Sequence, residues 1–290
     1  MVKLPLEKKP PEYEDPKVLL IYSRPKTGKT TVFSHLDHSI ILDFESGGSY
    51  VAARRLKIIG LRPPASETHE ELNTRHDKEI YYLTEVIKAL REYNPYTYGI
   101  ADTLTTFEGW IVEEARDVYM KSVVGKGFNR WSKKDEEISG GVNKEGQLKP
   151  KNLWDSILSL PNGAGYMWVR DTFEKWLGYI TSLFPYTILS GHLKVTYMAG
   201  KKDKAGTEVE VNDVDLIGKN KVIATALVAD AIGFLHREGN KTFLSFVPSD
   251  EILCGTRISH LEGKDILLSE KQEDGTIKTY WQNVYKNLPK

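Results

Sequence analysis

Residues 18–31, Val-Leu-Leu-Ile-Tyr-Ser-Arg-Pro-Lys-Thr-Gly-Lys-Thr-Thr, constrain this chain more than any other stretch. Four apolar residues, Val18 to Ile21, run into turn-forming and polar ones, and Gly28, Lys29 and Thr30 then open a stretch that can be helical. That is the order strand, loop, helix. In this order the loop's backbone N–H groups and the helix dipole favour negative charge over the loop. Lys29 adds a mobile cation for outer phosphates, and Thr30 a hydroxyl suited to Mg²⁺. The pattern is that of a loop for a nucleoside triphosphate, with Ser23, Arg24, Pro25, Lys26, Thr27, Gly28, Lys29, Thr30 and Thr31 as candidate contacts. It departs from Gly, four residues, Gly-Lys-Ser/Thr at Ser23, where a Cβ would crowd the loop if the backbone needed a positive φ. On this stretch alone, an ordinary strand-turn-helix carrying a surface lysine stays open.

Lys+Arg and Asp+Glu both number 40, which excludes a globally basic nucleic-acid binder but leaves local basic patches. Cys254 is the one cysteine, so no intramolecular disulfide and no cysteine cluster for zinc exists, and a reducing compartment fits. No run approaches the roughly 20 apolar residues that span a bilayer. Residues 1–16, with Pro5, Pro10, Pro11 and Pro16, lack an apolar signal core and read as an irregular lead-in. A cytoplasmic protein without membrane association is expected.

Further along, Thr30 to Leu36 can form a short helix. Ser39 to Phe44 is a second apolar strand that closes on Asp43, Phe44 and Glu45. Acids at the C-terminal edge of a parallel strand lie beside the ligand crevice. Residues 61–76 read as a polar loop and Asp77 to Tyr93 as a helix. Tyr96 to Asp102 is the third strand. Asp102 suits a Mg²⁺ anchor, or else the N-cap of the helix that follows over Leu104 to Met120, with Thr103 able to share the capping.

Residues 121–163 interleave Phe128, Trp131 and Trp154 with lysines and arginine. Cations for phosphates and rings for bases suit a single strand of nucleic acid. A solvated insertion whose tryptophans pack on the body is equally open, since Asp135, Glu136 and Glu137 dilute the charge. Gly165 to Phe184 has helical spacing, and Tyr186 to Ser190 is the fourth strand, followed by Gly191-His192-Leu193-Lys194. His192 can reach a γ-phosphate or the attacking water, or be a satisfied strand-end histidine. Residues 195–221 read as an excursion with a hairpin and charged tip. Ala231 to His236 and Thr242 to Val247 form a second hairpin. The expected fold is α/β, a mostly parallel central sheet sandwiched by helices with C-terminal antiparallel hairpins. Its boundaries are a lead-in at 1–16, one domain at 17–262 and a peripheral segment at 263–290.

Three features together resemble the RecA-type branch of P-loop ATPases. They are the Pro-Lys-Thr-Gly-Lys-Thr-Thr loop, the second strand closing on Asp-Phe-Glu-Ser-Gly-Gly, and the third closing on Asp-Thr-Leu-Thr-Thr; Gly-His-Leu-Lys is consistent with them. Within that branch the chain is similar to phage-encoded RecA-like ATPases of the AAA kind, linked to single-strand annealing and recombination. The resemblance implies ATP and Mg²⁺ as cofactors, with Lys29 on the β- and γ-phosphates and Thr30 and Asp102 on the metal. Glu45 would be the catalytic glutamate, ahead of Asp43. His192 would stand where the family carries a γ-phosphate sensor, usually a glutamine. Lys194 or Arg257 would offer a cation to a neighbouring subunit. The DNA-facing segments would be 121–163, with Lys126, Arg130, Trp131 and Lys133, and 195–221, with Lys201 and Lys202. Implied partners are single-stranded DNA, further copies of the chain in a ring or filament, and a single-strand-binding or annealing protein, in the host cytoplasm if phage-encoded. Two alternatives stand beside this: a nucleotide-binding regulatory or assembly protein with little turnover, motivated by Ser23 and His192, and a P-loop kinase, for which no arginine-rich lid is visible.

Overall fold

In β1 (Val18–Ser23), Leu19 and Ile21 point to one side and Leu20 and Tyr22 to the other, and all four are fully buried. A strand apolar on both faces belongs in the middle of a covered parallel sheet, and β1 lies there. The structure is a computed structural model that describes residues 11–45, 50–58, 69–128, 157–199 and 208–289. β1 is flanked in parallel by β5 (Tyr186–Ala199) and β7 (Ala231–Glu238). Beyond β5 come β4 (Tyr98–Asp102), β2 (Ser39–Asp43) and β3 (Arg55–Lys57), all parallel. Beyond β7 the sheet turns antiparallel through β8 (Lys241–Ser245), β10 (Asp265–Lys271) and β11 (Ile277–Thr279). Two strands branch off: β6 (Glu208–Val214) pairs with the outer half of β5, and β9 (Gly255–Thr256) with β7.

The helices are α1 (Lys29–Ser34), α2 (His69–Glu92), α3 (Leu104–Lys121), α4 (Val123–Phe128), α5 (Ala164–Thr181) and α6 (Gly218–Val222). One face of the sheet, through Leu20, Leu42, Ala101 and Leu189, packs against Leu83 and Ile87 of α2, Phe107 and Ile111 of α3, and Phe173 and Leu177 of α5. In mid-β4 the packing is close enough that a Cβ at Gly99 would fall 2.0 Å from Phe184 Cδ2. The other face, through Ile21, Ile41, Ile100 and Ile188, is covered by Val32 and Phe33 of α1 and by Trp281, Val284 and Tyr285 near the C-terminus. Among the described residues no helix is long and apolar enough to cross a membrane.

The α/β architecture expected from the sequence is present, with four differences in detail. β5 does not stop at Ser190: it runs on through His192 in parallel with β1 and then, from Leu193, pairs with β6. Residues 69–76 are helical rather than loop, because α2 begins at His69. The stretch 121–163, expected as one long loop, holds α4 and two 3₁₀ turns, Ile157–Ser159 and Pro161–Gly163. The segment 263–290 supplies the outermost strands, yet its last turn sends Trp281, Val284 and Tyr285 into the core.

Candidate nucleotide site

Side chains two apart on a strand share a face. Ile21, Ile41, Ile100 and Ile188 face the α1 layer, so the residues two further on face it too. Those are Ser23, Asp43, Asp102 and Ser190, at most 5% exposed although none is apolar. The parallel register sets Asp43 beside Asp102 and Ser23 beside His192. β2, β4 and β5 thus change from apolar to polar at one level, and β1 does so two residues further on, where it enters the loop that joins it to α1.

That loop takes its left-handed turns at Lys26 (φ 63°) and Gly28 (φ 105°), not at Ser23. Ser23 ends the strand, so the crowding anticipated for its Cβ does not arise. Its hydroxyl donates to Arg24 O at 2.9 Å and accepts from Lys29 Nζ at 3.1 Å. A Cβ at Gly28 would meet nothing, so its φ alone favours glycine there. Arg24, Pro25 and Lys26 are exposed, and Thr27 Oγ1 donates to Arg24 O at 2.7 Å. Lys29 is buried. Burial lowers its pKa, while the charges of Asp102 and Glu45 oppose that shift. Thr31 follows on α1, which is tied to the C-terminal turn by a bond from Trp281 Nε1 to Val32 O at 3.2 Å.

Thr30 Oγ1 donates to Asp102 Oδ2 at 3.0 Å. The N-cap of α3 is Thr103, whose side chain accepts from Thr106 N, so Asp102 is not the cap and keeps its carboxylate for the rim. Burial raises the Asp102 pKa, and Ser190, Thr30 and Lys29 pull it back. The Ser190 hydroxyl lies beside that carboxylate but outside hydrogen-bond geometry, and both Ser190 Oγ and Asp102 Oδ1 are buried without a partner. Leaving a buried polar atom unmade costs about 1–3 kcal/mol. An oxygen-only set of Thr30, Asp102 and Ser190 with one orphaned carboxylate oxygen fits a hard cation such as Mg²⁺.

The other two acids differ in use. Asp43 pairs with Arg55 Nε at 3.5 Å and accepts from Glu45 N at 3.0 Å, which makes it part of the scaffold. Glu45 is exposed, and both its carboxylate oxygens lie 3.2 Å from His192 Nε2. That bond lowers the Glu45 pKa most; burial works against it, and Lys29 and Thr103 add to it. His192 is itself fixed: its N donates to Thr105 Oγ1 at 3.2 Å, Thr105 Oγ1 donates to Asp215 O at 3.1 Å, and Asp215 N donates to His192 O at 2.9 Å.

Lys29, Thr30, Glu45, Asp102 and His192 therefore come together. Lys194 and Arg257 do not join them through any contact among the described residues: Lys194 pairs with Asp215 at 3.5 Å and Arg257 Nη2 donates to Ala226 O at 3.1 Å. The side chain of Lys126, and Arg130, Trp131, Lys133, Lys201 and Lys202 altogether, lie outside the described residues. Three rim residues were not singled out from the sequence for the work they do: Ser190, Thr105 and, as the sole cap, Thr103. For Ser190 a signal existed, since it repeats in β5 the isoleucine-x-polar ending of β1, β2 and β4.

A parallel sheet of this order, with a Gly-Lys-Thr loop after its central strand and an acid closing the next strand but one, defines a P-loop NTPase of RecA-like fold. The chain belongs to the AAA domain family, whose model matches residues 15–258. No curated protein matches it. Among solved structures it is similar to the KaiC-like protein PH0186 from the hyperthermophilic archaeon Pyrococcus horikoshii OT3. The identity is 11%, over 91% of this chain and 89% of that one, with a TM-score of 0.33.

Proposed function

We propose that this protein binds ATP with Mg²⁺ at the rim and hydrolyses it while acting on single-stranded DNA in phage recombination or replication. The observation that carries the nucleotide part is the Thr30–Asp102 hydrogen bond of 3.0 Å, with Lys29 close enough to feel the charges of both Asp102 and Glu45. Lys29 and the loop's N–H groups hold the β- and γ-phosphates. Thr30 and Asp102 are the residues that hold the metal. When bound, Mg²⁺ neutralises charge on the transferring phosphoryl group. Glu45, once clear of His192, orients the attacking water. Burial of Lys29 and Asp102 strengthens these interactions by keeping bulk water away.

Such sites turn over slowly alone, and an added cation is worth about 10³–10⁵ in rate. In this reading a neighbouring copy in a ring or filament provides it, with Lys194 or Arg257 as the donor. The DNA part is supported by the sequence: lysines and aromatics at Lys126, Arg130, Trp131, Lys133, Lys201 and Lys202 in the two segments that face DNA in RecA-like proteins. A single-strand-binding or annealing protein would share that DNA. The test is phosphate release by wild type and Lys29→Ala, each with and without single-stranded DNA. The expected result is DNA-stimulated release in wild type and release lower by about 10²–10³ in the variant. Equal rates in the two proteins contradict the ATPase reading, and a wild-type rate indifferent to DNA contradicts the DNA part.

The pairing of Glu45 with His192 favours a second reading, a nucleotide-binding assembly protein with little turnover. Tight ATP binding with no phosphate release under any condition selects it.

A further inference from the structure

Ser190 is 0% exposed, and of the oxygen set at the rim it alone has no hydrogen bond. Leu189 pairs with Ala101 across β5 and β4, which brings Ser190 level with Asp102 on the adjacent strand. Both residues continue the face of Ile188 and Ile100, the face covered by α1, so both look toward Thr30. Asp102 Oδ2 is taken by Thr30, whereas Oδ1 has no hydrogen bond, and neither has Ser190 Oγ. The two buried oxygens lie side by side, close enough for Ser190 to lower the Asp102 pKa, yet neither has a partner within hydrogen-bond geometry, and a third group can serve both. A carboxylate only accepts, and a hydroxyl can also accept. A group that offers two protons satisfies both at once. Water does, and a water on a divalent cation does so most strongly.

We propose that Ser190 is a positioning residue for the metal: its Oγ and Asp102 Oδ1 together accept from one water of the Mg²⁺ shell. The inference rests on the Mg²⁺–ATP reading above and extends it to a residue which that reading does not use. It also explains why β5, after Ile188 and Leu189, carries a small hydroxyl at this level. Alanine here would leave the water's second proton without an acceptor. Outer partners of this kind commonly change metal affinity by about 10–100-fold.

The probe is Mn²⁺, whose binding to the full chain with a non-hydrolysable ATP analogue is followed by electron paramagnetic resonance. Affinity for the same analogue is measured in parallel with metal removed by chelator. Ser190→Ala is expected to weaken Mn²⁺ binding by about tenfold and to leave metal-free nucleotide affinity unchanged. Ser190→Thr, which keeps the hydroxyl, is expected to restore the metal. Wild-type Mn²⁺ affinity in Ser190→Ala overturns the proposal. So does an equal loss of metal-free nucleotide affinity, which marks a merely structural role. Should Ser190→Ala fail to fold, Ser190→Cys, similar in volume and a poor acceptor, takes its place with the same expectations. A wild-type chain that binds no Mn²⁺ with nucleotide overturns the Mg²⁺–ATP reading itself, and this is seen before any variant is made.

Discussion

β1, β2, β4 and β5 each reach a polar residue on the α1 side of the sheet, whereas on that side the antiparallel strands β8 and β10 bury Leu244, Ile266 and Leu268. The difference follows from strand direction. Parallel strands bring all their C-terminal ends to one rim, so one polar residue from each suffices to build a site. In the antiparallel part successive ends fall on opposite edges. Strands β8, β10 and β11 therefore act as a buttress. The buttress still reaches the site, since Trp281 stacks on Phe33 and donates to Val32 O of α1, the helix that follows the loop.

If the rim works and the buttress supports, rim changes strike activity before stability, and buttress changes do the reverse. The largest effect is expected at Glu45→Gln, with kcat down by about 10²–10⁴ while nucleotide affinity, read by a fluorescent analogue, is retained. Lys29→Ala is expected to lower kcat/KM by about 10²–10³ without lowering the thermal midpoint. In the buttress, Trp281→Ala is expected to cost about 3–5 kcal/mol in urea unfolding. Trp281→Phe, which keeps a ring but loses the bond to Val32 O, should cost about 1 kcal/mol beyond its packing change. A Trp281→Ala protein as stable as wild type would break the comparison.

His76 sharpens the comparison from the helical layer, away from both regions. It is buried on α2, with Nδ1 3.4 Å from Glu113 and Nε2 3.4 Å from Glu114 of α3. Burial alone would lower its pKa, but those two carboxylates, with Asp117 behind them, raise it from 6.5 to about 9. A pKa raised on folding stabilises fully below the unfolded value and is lost as pH rises through the folded one. Unfolding free energy should therefore fall between about pH 6.5 and about pH 9, by on the order of 3 kcal/mol at most. His76→Gln should flatten that slope. The smallest effect is expected at Thr105→Val, which frees His192 N and Asp215 O: about 1 kcal/mol of stability, with a change in kcat larger than any change in nucleotide affinity.

Much of this was legible before any coordinates. β1, β2 and β4 show as short apolar runs that end in polar residues, and α3 and α5 show their spacing. Lys29 is marked by the loop pattern, Glu45 and Asp102 by strand ends, and the three lie close enough to feel one another's charge. Other features were hidden for definite reasons. β3 has three residues with one apolar side chain, Leu56, so its pattern is too short to read. β5 looked finished at Ser190 because Gly191, His192 and Lys194 interrupt the apolar run, yet β6 supplies a partner for the continuation. α2 begins among polar residues at His69, where periodicity has nothing to grip. The burial of Trp281 and Tyr285 is a long-range contact from a charged tail and has no local signature.

The central claim is that the polar strand ends beneath residues 23–30 form one cradle for a magnesium–polyphosphate. The most direct measurement is a crystal structure with a non-hydrolysable ATP analogue and Mg²⁺. The expected result has the outer phosphates on Lys29 and the metal between Thr30 and Asp102, with Glu45 turned toward the γ-phosphate. A nucleotide seated elsewhere, for instance in the ≈ 340 Å³ cavity lined by Tyr166, Arg170 and Lys219, with Lys29 still resting on Ser23, would contradict it.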